Sequence, residues 1–216
     1  MFTILEKREL APDTYWFEIE APLVAQARQP GQFIIILAHD RAERVPISLA
    51  GGSRERNSIY VVIQAIGRTT KEIVNFEPGD SFHSVLGPLG SPTPIDLYGT
   101  CVCIGGGYGV AAVLPIAQAL KEKGNRVTGI IGARTKDLLL LVDDMRKVTD
   151  EVRLSTDDGS EGTKGFVTDV LREMIEGNVK IDHVFAIGPV PMMRAVSELT
   201  RPFKIGTTVS VNALMV

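Results

Sequence analysis

Cys101-Val102-Cys103-Ile104-Gly105-Gly106-Gly107-Tyr108-Gly109-Val110 passes from strand through loop to helix without a break. The residues from Cys101 to Ile104 form a brief apolar strand, and Val110 to Lys123 then repeats apolar residues at helical spacing. A glycine loop between the first strand and the first helix is how an open α/β sheet binds phosphate. Glycine keeps Cβ atoms away from an approaching ligand, and the helix start offers free N–H groups and the positive end of its dipole. The spacing departs from G-x-G-x-x-G because Val110 stands at the last glycine position. A tight strand-to-helix turn with nothing bound explains the same residues, so both readings stay open.

Downstream, strand and helix patterns keep alternating. Strands are expected at Arg126 to Gly132, Val152 to Thr156, His183 to Ile187 and Thr207 to Ala213, with helix-like stretches between them. Buried apolar strands alternating with helices predict a parallel sheet covered on both faces. Where a dinucleotide site of the usual kind has an acid for the ribose, about 20–25 residues past the loop, this chain has Gly132-Ala133-Arg134. Arg134 suits either a 2′-phosphate, hence NADP, or a solvated strand end, leaving NAD and NADP equally open.

Upstream the period changes to short β-like runs at Thr14 to Glu20, Gln32 to Ala38, Val45 to Ala50, Ile59 to Ile66 and Ser81 to Leu86. Pro-Gly, Gly-Gly and Pro-Gly-Asp turns separate them, which predicts a small antiparallel barrel. The Pro- and Gly-rich stretch Gly87 to Pro94 is the expected linker, giving domains at 1–95 and 96–216. Two barrel motifs stand out. Gly67-Arg68-Thr69-Thr70-Lys71-Glu72 opens a helix; Thr69 and Glu72 have capping-box spacing, and the same glycine, hydroxyls and Arg68 suit an anion. Arg44-Val45-Pro46-Ile47-Ser48 puts a cation, a proline and a hydroxyl on one strand, which alone is an edge strand that tolerates proline.

The 216 residues carry 23 basic and 26 acidic side chains, a net charge of −3 without a block of like charge. No basic footprint for nucleic acid or anionic lipid follows. No apolar run approaches the ~20 residues of a membrane span, and Glu6 and Lys7 interrupt any signal-peptide core. Cys101 and Cys103 are too far apart on one strand face for an easy disulfide. A reducing cytoplasmic compartment is therefore expected.

The order of these motifs resembles the ferredoxin–NADP reductase superfamily over essentially the whole chain. Its marks here are Arg44 with Pro46-Ile47-Ser48, Gly67 with Thr69-Thr70, Gly87-Pro88-Leu89-Gly90, Gly105 to Gly109, Gly132-Ala133-Arg134, Asp157-Asp158-Gly159-Ser160 and Gly188-Pro189-Val190-Pro191-Met192-Met193. Within it the chain is most similar to the group of dihydroorotate dehydrogenase electron-transfer subunits and small subunits of NADH-dependent ferredoxin:NADP oxidoreductase. The resemblance implies FAD bound in the barrel, with Arg44, Pro46, Ile47 and Ser48 lining the flavin. Val62, Ile63 and Gln64 would back it, and Gly67, Thr69 and Thr70 would hold its pyrophosphate. It implies NAD(P) at Gly105, Gly106, Gly107, Tyr108, Gly109 and Val110. Arg134, Asp157 and Asp158 would lie toward the ribose, and Gly188, Pro189, Met192 and Met193 near the nicotinamide. By their residue types alone Val62 to Gln64 also suit plain sheet core, Asp157 to Ser160 a turn, and the methionines adaptable core filler.

Three departures from that pattern are visible. The arginine lies four residues before Ser48, with no tyrosine between. Ile187 stands where many members have a cysteine before Gly188-Pro189. Close relatives continue into a cysteine-rich loop holding a [2Fe–2S] cluster, which needs four ligands, whereas this chain's two cysteines, Cys101 and Cys103, match no such motif. The apolar ending Asn212 to Val216 is accordingly expected to be a cut before that segment. The implied activity is hydride passage from NAD(P)H to FAD and onward electron delivery. The expected recipient is a larger dihydroorotate-dehydrogenase-like or glutamate-synthase-like subunit, or ferredoxin. A non-catalytic FAD- or nucleotide-binding subunit is the alternative; a flavin-free dehydrogenase would need an acid/base pair by the glycine loop, and none is evident.

Overall fold

A computed structural model describes residues 2–210. They divide between Pro94 and Ile95 into two compact units. The first unit contains strands β1 (Phe2–Ala11), β2 (Thr14–Glu20), β3 (Phe33–Leu37), β4 (Val45–Ser53), β5 (Ser58–Gln64), β6 (Ser81–Phe82) and β7 (Ser84–Leu89). Short helices α1 (Pro22–Ala27) and α2 (Arg68–Ile73) accompany them. The strands form one antiparallel sheet in the order β6-β1-β2-β5-β4-β3-β7. Its two outermost strands are consecutive in the chain, separated by His83 alone, so the sheet curls into a nearly closed barrel.

The barrel core is made of residues that alternate along the strands: Phe17 and Ile19 on β2, Ile34 and Ile36 on β3, and Ile59, Val61 and Ile63 on β5. This alternation is what made most strands readable. β1 carries no such legible period, because register shifts at Ile4/Glu6 and Glu9/Ala11 break it. The expected run Ser81 to Leu86 is two strands: β6 pairs with β1, and β7 pairs with β3. Gly51-Gly52, expected as a turn, lies inside β4 beside a register shift at Leu49/Gly51. A Cβ on Gly52 would meet the Ser58 carbonyl oxygen at 2.5 Å, so glycine permits close strand pairing there. The expected linker also belongs largely to the barrel. Gly87 to Leu89 lie in β7, Gln32 Nε2 donates to the Gly90 carbonyl at 3.0 Å, and Thr93 N–H donates to the Pro30 carbonyl at 2.9 Å.

The second unit alternates strand and helix. Its elements are β8 (Thr100–Gly106), α3 (Gly109–Glu122), β9 (Arg126–Ala133), α4 (Val142–Val148), β10 (Glu151–Thr156), β11 (Thr163–Lys164), α5 (Val167–Glu176), β12 (His183–Ile187), α6 (Val190–Thr200) and β13 (Gly206–Val209). All six strands are parallel, in the order β11-β10-β9-β8-β12-β13. The chain starts in the middle, winds out through β9 and β10, then returns to the other side of β8. The expected last strand, Thr207 to Ala213, is seen as Gly206–Val209, and its part beyond Ser210 lies outside the described residues.

Residues of β8 and β12 on one face, Val102, Ile104, Val184 and Ala186, pack with Val167, Val170, Leu171 and Met174 of α5 and Val196 of α6. Cys101, Cys103, His183 and Phe185 share the opposite face by register. Both thiols are free and buried, and burial pushes Cys101 up to about 11 and Cys103 higher still. They are inert core side chains.

His183 stacks 4.6 Å from both Tyr98 and Phe185, and its Nε2 lies 2.9 Å from Thr208 Oγ1. Burial pushes its imidazole below the ordinary value. An unfolded imidazole titrates near ~6.5, so the neutral ring's contribution is complete above that value. It is lost as the pH falls from there toward the lower folded value, because the unfolded chain binds the extra proton. Denaturant midpoints are therefore expected to drop between pH 7.5 and pH 5. In His183→Phe, which keeps an aromatic ring in the stack, that drop is expected to shrink; an undiminished drop would assign the proton uptake elsewhere.

Candidate nucleotide and flavin sites

In the second unit the order places the point where the sheet reverses its winding between β8 and β12, and ligands of open α/β sheets bind outside the strand carboxyl ends at such a point. The two glycine segments of the sequence stand there: Gly105 and Gly106 end β8, which runs two residues past the expected strand, Gly107 and Tyr108 make the turn and Gly109 opens α3, while Gly188-Pro189 follows β12. Each glycine of the first has its own reason. A Cβ on Gly105 would lie 2.7 Å from Val110 Cα, so its absence lets α3 fold back tightly on β8. A Cβ on Gly109 would lie 2.7 Å from the Ile187 carbonyl carbon and 2.9 Å from Gly188 Cα. Gly107 has φ +55 with nothing within 4 Å of its Cβ position, so the loop is open on its outer side. Its N–H is held by the Gly132 carbonyl at 3.0 Å. The N–H groups of Tyr108 and Gly109 have no partner among the described residues and stand at the positive end of α3. This open, donor-lined cradle fits a dinucleotide phosphate.

Val110, expected among the binding residues, is fully buried against Gly105 and serves as core. Tyr108 is 58% exposed beside the loop. Met192 and Met193 part company: Met193 is buried, while the Met192 thioether lies against Gly106 and Gly188. Arg134 follows β9 and is exposed, with no ion pair among the described residues. Asp157 N–H donates to the Ala133 carbonyl at 3.1 Å and Asp158 N–H to the Arg134 carbonyl at 3.3 Å, so the arginine and both acids meet at adjoining strand ends. The Asp158 carboxylate accepts from Ser160 Oγ at 2.6 Å and from Ser160 N–H at 3.0 Å, bonds that hold it below the usual carboxylate range. Ser160 Oγ also accepts the Lys136 N–H at 2.8 Å. Phe166, which sequence reasoning missed, precedes α5 at the same sheet edge and is 64% exposed. An aromatic just before a helix N-terminus was the available signal.

In the first unit Arg44, Pro46 and Ser48 are exposed on one side of the β4 segment, whereas Val45 and Ile47 pack on the barrel core. From Val45 to Ser48 this strand pairs only with β3, since its pairing to β5 begins at Leu49; Pro46 therefore deprives no neighbour of a bond. On β5 Val62 and Gln64 share the outer side, where Val62 is nevertheless buried at 7% exposed, and Ile63 is core. Ile47 and Ile63 thus turn away from the face where a flavin was expected to contact them, because strand side chains alternate.

The helix start differs from the capping box expected at Thr69. α2 begins two residues earlier, and Thr70 is the capping side chain: its Oγ1 accepts the N–H groups of Gly67 at 2.9 Å and Ile66 at 3.1 Å. Thr69 is buried and donates to Glu43 Oε2 at 3.1 Å; Arg68 Nη2 lies 3.8 Å from Glu43 Oε1. An anionic oxygen pair accordingly already sits at this helix start, on the residue preceding Arg44. The donor set fits a pyrophosphate of the same charge sign. The two cysteines, in contrast, do not fit an iron–sulfur centre, which takes four ligands as thiolates. Among the described residues no group of three or more His, Cys, Asp or Glu gathers for a metal, and no helix is long and apolar enough to cross a membrane.

An antiparallel, nearly closed barrel followed by a parallel sheet with a glycine loop at its switch point defines an oxidoreductase of the ferredoxin reductase-like class. Residues 103–198 match the model of the oxidoreductase NAD-binding domain. The dihydroorotate dehydrogenase B (NAD(+)) electron transfer subunit homolog of Thermotoga maritima is 41% identical over 213 residues, spanning 99% of this chain and 75% of the relative. The electron transfer subunit of Fusobacterium nucleatum dihydroorotate dehydrogenase B is 35% identical, spanning 89% and 76%. A chain of the NADH-dependent reduced ferredoxin-NADP oxidoreductase structure superposes with a TM-score of 0.94 at 38% identity, covering all of this chain and 78% of that one. Phthalate dioxygenase reductase shares the fold at 20% identity and a TM-score of 0.74, covering 99% of this chain and 69% of that one. The chain belongs to the family of dihydroorotate dehydrogenase B electron-transfer subunits.

Proposed function

We propose that this chain is a flavin-dependent electron-transfer subunit, with FAD held by the barrel unit and NAD(P)H by the parallel-sheet unit. The observation that carries the reading is the open glycine loop at the reversal of the sheet, with unpartnered N–H groups at the head of α3. When bound, FAD supplies the acceptor for a hydride from nicotinamide C4 and releases electrons onward. The protein's part is placement. Tyr108 and Gly109 N–H groups take the nucleotide phosphate, Arg134, Asp157 and Asp158 face its ribose, and exposed Phe166 offers a stacking surface for adenine. Gly188, Pro189 and Met192 border the nicotinamide end. On the barrel, Arg44, Pro46 and Ser48 with Val62 and Gln64 present one outer side to the flavin. Gly67, Arg68 and Thr69 hold its pyrophosphate after displacing Glu43.

Sequence similarity to dihydroorotate dehydrogenase subunits supports a larger oxidoreductase as the recipient of the electrons, of dihydroorotate-dehydrogenase or glutamate-synthase type, with ferredoxin as the further candidate. A second reading, a subunit that binds flavin and nucleotide without turnover, draws on the unsuitability of the two buried thiols for relaying electrons. One experiment separates them. The chain incubated with FAD and freed of excess should be yellow, and NADH or NADPH should bleach it under anaerobic conditions. Bound flavin that stays oxidised supports the second reading, and a colourless chain defeats both. Arg44→Ala is expected to weaken FAD binding about tenfold, the size of a lost charge-assisted hydrogen bond, by fluorescence titration.

A further inference from the structure

Met192 stands apart from the other described methionines. Met145, Met174 and Met193 are 0%, 1% and 6% exposed, whereas Met192 is only partly buried, on the first turn of α6. Its thioether fills the notch that two glycines leave between the ends of β8 and β12. A Cβ on Gly188 would lie 2.7 Å from Met192 Cε and 3.1 Å from Sδ, and one on Gly106 would run into Sδ itself. Sulfur is therefore in van der Waals contact with the backbone that carries the phosphate cradle, and the rest of the side chain packs on the core of the parallel-sheet unit. The residue is thus the least buried of the described methionines and is mechanically joined to the loop.

We propose that Met192 is a reversible oxidation site, at which hydrogen peroxide lowers nucleotide affinity. The sulfur lone pair attacks one peroxide oxygen; the S–O bond forms as the O–O bond breaks, and the second oxygen leaves as water with both protons. Sulfur gives up two electrons and peroxide gains them. The product replaces a flexible apolar group by a polar, chiral one. The notch has no room for an added oxygen on its Gly106 side, so the side chain is pushed outward across the loop. A sulfoxide oxygen turned outward adds negative charge density beside the N–H groups that receive phosphate. Methionine sulfoxide reductases reverse the change.

The proposal rests on the assignment of the nucleotide to the glycine loop, so untreated protein is titrated first with NADH and with NADPH. Binding of neither nucleotide defeats that assignment and this proposal with it. Where one binds, the full chain is treated with limiting peroxide, mapped by peptide mass spectrometry and titrated again. One added oxygen is expected at Met192 ahead of Met145, Met174 and Met193. The dissociation constant is expected to rise about tenfold, the size of one badly placed polar group, and methionine sulfoxide reductase should restore it. Met192→Leu, a swap of similar volume, should hold its own untreated affinity through the same treatment. Unchanged affinity with Met192 fully oxidised, earlier oxidation of the buried methionines, or an equal loss in Met192→Leu overturns the proposal and leaves the nucleotide assignment standing.

Discussion

Replacing Gly109 by alanine is expected to weaken NAD(P)H binding by about ten- to a hundredfold. The new methyl group would lie 2.7 Å from the Ile187 carbonyl carbon, 2.9 Å from Gly188 Cα, and closer still to the Ile187 carbonyl oxygen. All three are backbone atoms at the end of β12, so no rotamer change relieves the clash. α3 must slide outward, carrying the Tyr108 and Gly109 N–H groups off the cradle. Overpacking of this kind costs about 1–3 kcal/mol, and a loss of that size in the binding-competent geometry is about ten- to a hundredfold in affinity. Calorimetry of the parallel-sheet unit should also show its melting point lowered by about 5 °C. Gly107→Ala is the control. It meets no atom within 4 Å but takes a φ of +55, a strain of about 1–2 kcal/mol without displacement of α3. It should bind nucleotide better than Gly109→Ala; the reverse ranking would show that loop conformation, and not the approach of α3 to β12, limits binding.

Asn125→Ala should give the largest loss of stability. The side chain is 3% exposed in the turn between α3 and β9 and makes four hydrogen bonds. Its Oδ1 accepts from Tyr98 N–H at 2.7 Å and Gly99 N–H at 2.9 Å, and its Nδ2 donates to the Asp96 and Leu120 carbonyls, each at 2.9 Å. It thereby pins the segment leading into β8 to the end of α3. Alanine takes the acceptor from the Tyr98 and Gly99 N–H groups and the donor from the Asp96 carbonyl, while the Leu120 carbonyl keeps the backbone N–H of residue 125 at 3.1 Å; each half-buried group left unpaired costs about 1 kcal/mol. A net loss of about 3 kcal/mol and a fall of roughly 10 °C in Tm are expected. Asn125→Asp keeps the two acceptor bonds but turns a carboxylate oxygen on two carbonyls. Its deficit should narrow at low pH, where protonation supplies one donor. A melting point within 2–3 °C of the parent protein for Asn125→Ala, on the same scale, would mean that the 96–99 segment is held by other contacts.

Both residues show where reading the chain reaches its limit. Alternation at Phe17/Ile19, Ile34/Ile36 and Ile59/Val61/Ile63 revealed barrel strands, because one buried face imposes a period of two. The same period is silent where bulges shift it, as along β1, and where a strand changes partners, as at His83 between β6 and β7. Asn125 follows a glycine and looks like any loop asparagine. Its four partners lie in segments 5 to 29 residues away.

The candidate sites divide in the same way. Local spacing suffices for the glycine loop, for Arg44-x-Pro46-x-Ser48 on one strand side, and for the meeting of Arg134 with Asp157 and Asp158 once two parallel strands are assumed. Local spacing failed at α2, where capping by Thr70 and the Thr69 bond to Glu43 depend on a loop folding across from the other side of β4. It failed too for Ile47, Ile63, Val110 and Met193, which sit in binding motifs and face core.

From its residues alone, then, this chain determined a barrel followed by a parallel sheet, the glycine loop between its first strand and helix, and the kind of ligand that loop suits. These depend on periodicity and on backbone freedom at glycine, which neighbours in sequence control. Tertiary structure alone decided that β12 lies beside β8, so that Gly109 and Gly188 face one another and Met192 fills the notch between Gly106 and Gly188. Strand order is a choice among distant partners with nearly equal local pairing energy. It is settled by which faces the helices bury, and no short stretch of sequence contains that comparison.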